Sequence, residues 1–329
     1  MATTRSDEVA GGLLERSVEL ALRAPSVHNT QPWRWRLRPG EVELHADLGR
    51  HLPGTDPDRR DLLISCGAAL HHLRVAAAGL GAAVTVDRLP DPENSQHLAT
   101  VRLADGPPDR AAAALFGQLT RRHTDRRRYS GDPVPPARLA TLVGSARDLG
   151  VLAVPVGDPV VLARMNEVLR EAAREQRHEA GYLAELLVWT HRYADARDGV
   201  PRVAVPTRGG QWDEPHLHRF PSGSLAPGRD TGADGGTLLV LATPRDDVAA
   251  RLAAGEATSA VLLTATRGGL ATAPLSQAVE LPRTRSRLRA ALGLPDQPQL
   301  VIRLGFPLPG APPLEPTPRR PLGSVLLGP

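Results

Sequence analysis

Two stretches of this 329-residue chain carry residue types and spacings that could do chemistry. Residues 23 to 33 read Arg-Ala-Pro-Ser-Val-His-Asn-Thr-Gln-Pro-Trp, which sets Ser26, Asn29 and Gln31 between two prolines. Pro25 ends the preceding helix, and Pro32 lacks a donor and holds its neighbours extended, so the turn between them is stiff. A hydroxyl and two amides on a rigid frame suit the edge of a flat, polar heterocycle, because amides donate and accept in one plane. A capped loop between helix and strand would use the same residues. Much further on, Arg121, Arg122, His123, Thr124, Asp125 and Arg126 follow one another. Guanidinium forks with a hydroxyl beside them complete the shell of a phosphate monoester. Standing alone in so Arg-rich a chain, the run would read as a solvated surface.

Together the two stretches resemble the nitroreductase family, FMN enzymes that move hydride from NAD(P)H to nitro compounds, quinones or related acceptors. Ala24-Pro25-Ser26 with Asn29, Gln31, Pro32 and Trp33 is similar to the family's flavin-contacting loop. The segment from Arg121 to Arg126, ahead of Tyr129 and Pro133-Val134-Pro135, is similar to its Arg-x-Ser/Thr-x-Arg/Lys phosphate segment. The resemblance implies that Ser26, Asn29 and Gln31 hold the ring edge, with Pro25 and Val27 among the cofactor-binding residues. It implies that Arg122, Thr124 and Arg126 hold the ribityl phosphate, with His123 among the cofactor-binding residues. Thr317-Pro318-Arg319-Arg320 resembles the closing basic pair of the family, which adds Arg319 and Arg320 to the phosphate site.

The order of these elements is inverted relative to an ordinary family member, in which the basic segment comes first. Where a second Pro-Ser-x-x-Asn loop belongs, residues 143 to 150 read Val-Gly-Ser-Ala-Arg-Asp-Leu-Gly. An internal duplication accounts for this: residues 1–115 form a first half that keeps the loop, and residues 116–329 form a second that keeps the phosphate segment. The layout resembles the Acg-type branch, and it implies one FMN per chain, gripped by both halves. The expected fold class is α+β, a nitroreductase-like fold duplicated as a pseudo-dimer in one chain, with a long lid-like loop. The expected assembly is a monomer acting as its own pseudo-dimer, or a weak homodimer.

Residues 269 to 277, Gly-Leu-Ala-Thr-Ala-Pro-Leu-Ser-Gln, resemble the turn that presents backbone N–H groups to flavin N5 in the family. Pro274, Leu275, Ser276 and Gln277 therefore join the cofactor-binding set, with Ser276 and Gln277 at N5, where typical members carry an acidic residue and a glycine. No side chain is assigned a catalytic role. The implied activity takes hydride from NAD(P)H onto the flavin and reduces a small, planar, electron-poor acceptor, nitroaromatic or quinone-like, by a ping-pong route. The alternative is a flavin-sequestering or storage protein with a lidded pocket. Gly-x-Gly-x-x-Gly after a strand, Walker, Gly-x-Ser-x-Gly and His-Glu-x-x-His patterns are all missing from the sequence.

The elements that must position these groups are legible in outline. Val9, Leu13, Leu20 and Ala24 share one helical face, so the Ser26 loop hangs from a helix end. Asp56-Pro57 reads as N-cap and first helical residue of a core helix carrying Leu62, Cys66, Ala69, Leu73, Ala76 and Leu80. Cys66, on that stripe, reads as a small buried hydrophobe. A second apolar helix spans 257–266. Strands are expected at 41–46, 84–86, 98–103, 237–242 and 300–306. Residues 192–236, rich in Gly, Pro, Asp and Arg, read as a long lid or binding loop with hinges at Gly209-Gly210 and Gly235-Gly236 and anchors at Trp212 and Phe220. His216 and His218 read as ordinary loop histidines, and no metal is expected.

Composition excludes several classes. Hydrophobic residues make up 41% of the chain and aromatics only 3%, so the core must be built from Leu, Val and Ala. All 40 basic residues are Arg, yet interspersed acids leave a net charge of +4 and no aromatic-basic platform, which argues against nucleic acid. One cysteine, no apolar leader and an apolar stretch at 62–86 interrupted by His71, His72 and Arg74 point to a cytoplasmic protein that does not span a membrane and acts on a small molecule.

Overall fold

A computed structural model describes residues 2–193, 195–207, 219–220, 223–226 and 234–328. The chain opens with α1 (Ala2–Ala21), the hairpin β1 (Trp33–Arg38) and β2 (Glu41–Ala46), helix α2 (Arg60–Gly79), and strands β3 (Ala83–Arg88) and β4 (His97–Ala104). The strands form an antiparallel sheet in the order β1-β2-β4-β3. Alternation decides its faces: Trp33 and Trp35 are fully buried against α1 and α2, while Arg34 and Arg36 point outward. On the outer face Arg36 and Arg38 pair with Glu43 across β2, at 2.9 and 2.7 Å. His45 and His97 stack beside that carboxylate. These three residues bring candidate metal-ligand atoms within 4.8 Å of one another. Burial disfavours the Glu43 charge, but hydrogen bonds from His45, Arg38 and Arg36 prevail and hold its pKa at about 2.

The short α3 (Arg110–Ala113), capped by Asp109, leads to α4 (Pro136–Arg147), β5 (Leu152–Val156), α5 (Pro159–His178) and α6 (Ala180–Thr190). Next come β6 (Thr237–Thr243), α7 (Val248–Arg267), β7 (Ala271–Leu275), α8 (Gln277–Glu280), α9 (Pro282–Ala291), β8 (Gln297–Gly305) and α10 (Leu322–Val325). The second sheet, β5-β6-β8-β7, repeats the strand order of the first and is again antiparallel. It is covered on both sides, which is why β6 reads as an unbroken apolar run. Leu239, Leu241 and Ile302 face α4 and α7, and Leu238, Val240 and Val301 face α5, α8 and α9.

Between the sheets α2 lies along α7 at backbone contact. A Cβ on Gly67 would sit 2.1 Å from the Leu252 carbonyl oxygen, and one on Gly255 would sit 2.1 Å from that of Ile64. Both helices are long and apolar enough to cross a membrane. The apolar windows of α2 and α7 are, however, 89% and 72% buried within the fold, as core helices are. Cys66 is fully buried and its Sγ donates to the Pro32 carbonyl at 3.2 Å. Burial, with Asp47 adding to it, pushes the thiol pKa up. We expect a thiol reagent to label Cys66 only after unfolding, and labelling of the native protein at a free-thiol rate would contradict this packing.

Several sequence expectations shift. β1, β5 and β7 join the five anticipated strands, and residues 271–275 pair with β8 where one continuous turn was expected. The buried face of α1 is carried by Leu14, Ser17, Val18 and Ala21, rotated from the expected stripe. Helix α2 starts at Arg60 after left-handed Arg59 (φ 57°), so Asp56 and Pro57 are neither N-cap nor first residue. The Asp56 carboxylate still covers the helix start from the turn before it, accepting from the Leu62 N–H at 2.9 Å. Nearly the whole circumference of α2 is buried, because the first sheet, α1 and α7 surround it, and exposure begins only at Gly79 and the following Leu80.

The C-terminal tail returns to the first sheet. Leu326 bridges Trp35, and Leu327 N–H donates to the Trp35 carbonyl at 2.7 Å. Thr317, Arg319 and Arg320 are thereby carried across the molecule to the Ser26 loop.

Candidate functional site

The loop after α1 is strained where it meets the interior. His28, Asn29 and Gln31 all take positive φ, at 45°, 56° and 51°, in the left-handed region that costs non-glycine residues energy. Hydrogen bonds over-determine this shape. Ser26 Oγ accepts from Gln31 N–H at 2.9 Å, Val27 N–H donates to Ser65 Oγ on α2 at 3.0 Å, and Asn29 Nδ2 donates to the carbonyls of Gly199 and Pro318. Pro25, Ser26, Val27 and Asn29 line a cavity together with residues of α2, the 119–126 segment, the β7–α8 turn and the tail.

Gln31 and Arg320 do not line it, which corrects the sequence reading. Gln31 is fully buried. Its Nε2 donates to the Arg197 carbonyl at 2.8 Å, and its Oε1 accepts the Arg320 N–H at 2.8 Å. Arg320 turns toward the first sheet, donating to the carbonyls of Gln31 and Ser324 and pairing with Asp47 at 3.4 Å. Both residues staple the tail and residues 195–200 to the loop. A family motif marks them from sequence, but only the path of the tail shows that their polar atoms are already satisfied. Gln31→Leu should cost about 2 kcal/mol, because the buried Arg320 N–H and the part-buried Arg197 carbonyl lose their partner. A urea midpoint unchanged from wild type would show that those bonds contribute nothing.

The cavity has two chemically different ends. At one, Arg122, Thr124 and Arg126 from the 121–126 segment and Arg319 from the tail converge with His123 and Arg23. Arg122 is buried, and its Nη2 reaches the Arg23 carbonyl at 3.3 Å at the C-terminal end of α1, while its Nε and Nη1 have no partner. Arg319 donates to Thr317 and to the carbonyls of Pro318, Arg23 and Ala24, leaving Nε unpartnered. Among the described residues no carboxylate pairs with either guanidinium. Burial and then Arg126 lower the Arg122 pKa to about 10, and burial with Arg122 and Arg23 lowers that of Arg319 to about 9. His123 is lowered by burial and by the same two arginines. The site is thus short of negative charge and offers orphaned N–H donors.

Arg126 is lowered to about 10 by burial and by Arg219. Its Nη1 donates to the Ala204 carbonyl at 3.2 Å, and its guanidinium lies 4.9 Å above the Phe220 ring. The next arginine, Arg127, is structural. Arg127 is chelated by Asp125, and Arg303 braces the same turn through the Asp125 and Arg127 carbonyls and Asp234.

At the other end stand Pro274, Leu275, Ser276 and Gln277, where β7 turns into α8. Ser276 Oγ donates to Glu280 at 2.6 Å, and Gln277 Nε2 donates to Gln176 at 2.7 Å. Sequence reasoning missed Asp61 and Ser65 of α2 and Arg219, all of which line this space. The charge of Asp61 next to the apolar stripe of a core helix was the available signal. Arg219 had none.

Residues of the long 192–236 segment also line the cavity, among them Val200, Val203, Ala204 and Phe220. Phe220 meets His28 edge-on at 5.4 Å. Both His28 ring nitrogens are buried without partners, and burial, with Arg219 and Arg126, holds its pKa well below the usual value. Gly235 and Gly236 are not free hinges. Gly235 N–H donates to Tyr129, and a Cβ there would sit 1.9 Å from the Ser130 carbonyl oxygen. Gly209, Gly210, Trp212, His216 and His218 lie outside the described residues.

The chain thus has an α+β fold with twinned antiparallel sheets and a cavity lined by buried arginines. A Mycobacterium tuberculosis (strain H37Rv) protein, Rv3131, provisionally named an NAD(P)H nitroreductase, is 42% identical over 93% of this chain and 89% of its own. The provisionally named NAD(P)H nitroreductase acg of that strain is 33% identical over 96% of each chain. The chain belongs to the nitroreductase family, in its Acg-type branch. Among solved structures, the FMN-dependent nitroreductase NfnB of Mycobacterium smegmatis in complex with NADPH is 18% identical. It covers 65% of this chain and 96% of its own, with a TM-score of 0.41. No protein-family model matches the chain.

Proposed function

We propose that the protein is an NAD(P)H-dependent FMN oxidoreductase that holds one FMN per chain in the cavity between two nitroreductase-like halves, residues 1–115 and 116–329. The observation that carries this reading is the uncompensated cluster of Arg122, Arg126 and Arg319, with orphaned donors on Arg122 and Arg319 and Thr124 beside them. A phosphate dianion supplies the missing charge and accepts those N–H groups. The stiff loop carrying Ser26, Val27 and Asn29 would hold the edge of the ring system, and the Ser276-Gln277 turn would meet its reactive side. Bound FMN supplies a centre that takes and gives hydride, so NAD(P)H and a planar, electron-poor acceptor would use one cavity in turn. Fusion of the halves would let one chain do what a pair of chains does, as a monomer or a weak homodimer.

A second reading, flavin sequestration, draws support from Arg219 and Phe220. Their side chains stand over the cavity against Ser276, Arg126 and His28. One preparation separates the two. The purified protein should be yellow with one flavin per chain, and anaerobic NADH or NADPH should bleach it within seconds. Bleaching by dithionite alone would favour sequestration, and a colourless protein that fails to take up FMN would refute both.

A further inference from the structure

Asp61, in the first turn of α2, lines the cavity with 3% of its surface exposed, and neither carboxyl oxygen has a hydrogen-bond partner. The hydroxyl protons nearest to it go elsewhere. Ser65 gives its hydroxyl proton to the Asp61 backbone carbonyl, and Ser276 gives its own to Glu280. Arg219 spends one Nη on Glu280 at 2.6 Å and on Ser276 at 3.1 Å. The charged groups facing Asp61 are Asp56 from the turn before α2, Glu280 from α8 and Arg219 from the 192–236 segment. Two of these three are acids, and the one cation is paired through Nη1 with Glu280, its Nε and Nη2 having no partner among the described residues.

A buried carboxylate without donors is the costliest state open to such a side chain, whereas a carboxylic acid needs one acceptor for its O–H. Burial first, then Asp56 and Glu280, push the Asp61 pKa well above the usual carboxylate range, outweighing Ser276 and Arg219, which pull it down. Asp56 is raised to about 7, by burial and by Glu280 among its charged neighbours. The orphaned oxygens and the cavity wall they form are the primary observation, and the electrostatics agree with it.

We propose that Asp61 stands in the cavity as a neutral carboxylic acid and donates its O–H to an acceptor atom, a ring nitrogen or carbonyl oxygen, of the planar molecule bound at the Ser276 end. This rests on the flavin reading for the identity of that molecule but not for the protonation of the acid. Asp61 then selects for an acceptor-bearing edge, and an occupant presenting an anionic or acceptor edge there needs no metal or cation to meet it.

Infrared spectroscopy of the FMN-free protein at neutral pH tests the first half. The wild type should show a protonated-carboxyl C=O band that Asp61→Asn lacks and Asp56→Asn keeps. Its absence from wild type overturns the proposal whether or not flavin binds. Loading with FMN, followed by flavin absorbance, should shift the band, and an unmoved band on a yellow protein overturns the donor role. In titrations with FMN, Asp61→Asn, whose amide still donates, should bind within about threefold of wild type, and Asp61→Leu roughly tenfold more weakly. Equal binding by Leu and Asn also overturns the donor role. Should Asp61→Asn not fold, Asp61→Ser serves as the band-free reference. Failure of FMN uptake is read in the absorbance and fells the flavin reading together with the contact to it, while the flavin-free band still decides the state of the acid.

Discussion

Arg122→Met should yield a flavin-free protein that is more stable than wild type and a flavin-loaded one that leaks its cofactor. In the free protein Arg122 is buried beside Arg126, with two of its three nitrogens unpartnered. Methionine keeps the apolar stem and removes the charge, so stability should rise by about 1 kcal/mol. The sign follows from linkage. The folded protein holds the guanidinium at about 10, below its usual value, so the charge penalises folding at every pH below that value. The penalty fades only as the pH climbs from there toward the unfolded pKa. With a phosphate in place the balance reverses. Loss of one charge-assisted contact should weaken FMN binding by about 2 kcal/mol, near thirtyfold. Arg319→Met should behave alike, and the two together should abolish retention on a desalting column. Denaturation of the free protein paired with fluorescence titration of FMN reads both effects. Unchanged flavin affinity would remove Arg122 from the phosphate site.

Gly255→Ala should be among the most damaging single methyl groups in the described structure. It would place a carbon 2.1 Å from the Ile64 carbonyl oxygen and 2.8 Å from the Gly67 Cα, so α2 and α7 would have to separate. Overpacking of a rigid contact costs about 3 kcal/mol. Here the cost also reaches the site, because α2 carries Asp61, Ser65 and Ala68 on the cavity wall and α7 carries Thr258. Cofactor retention should fall with stability. Gly144→Ala in α4 is the control. Nothing lies within 4 Å of its added carbon, and the better helix propensity of alanine should stabilise by about 0.5 to 1 kcal/mol. Equal melting curves for the two variants would mean that the helices do not touch at Gly255.

Much of the site was legible because motif residues are local. The loop from Pro25 to Asn29, the basic segment, Arg319 and the Ser276-Gln277 turn all reach one cavity, although they come from distant parts of the chain. Gln31 and Arg320 share those motifs and fail as ligand-facing residues, since each finds its partner in the other. Asp61 was overlooked because an apolar helix conceals how exceptional its one inward carboxyl is. β1 was missed although Trp-Arg-Trp-Arg alternates, because Trp33 read as the end of the loop, and β7 was missed because a short strand broken by Pro274 looks like a turn.

By itself the sequence determined what short-range physics governs: the apolar helices, most strands, the stiff polar loop and the concentration of guanidinium charge. The tertiary structure alone decided which polar atoms remain unsatisfied. That depends on where a tail ending near Leu327 crosses to Trp35, and on two glycines that let α2 and α7 touch. Hydrogen-bond satisfaction is a property of neighbours remote in sequence, and it separates the arginines that hold the fold from those left facing the cavity.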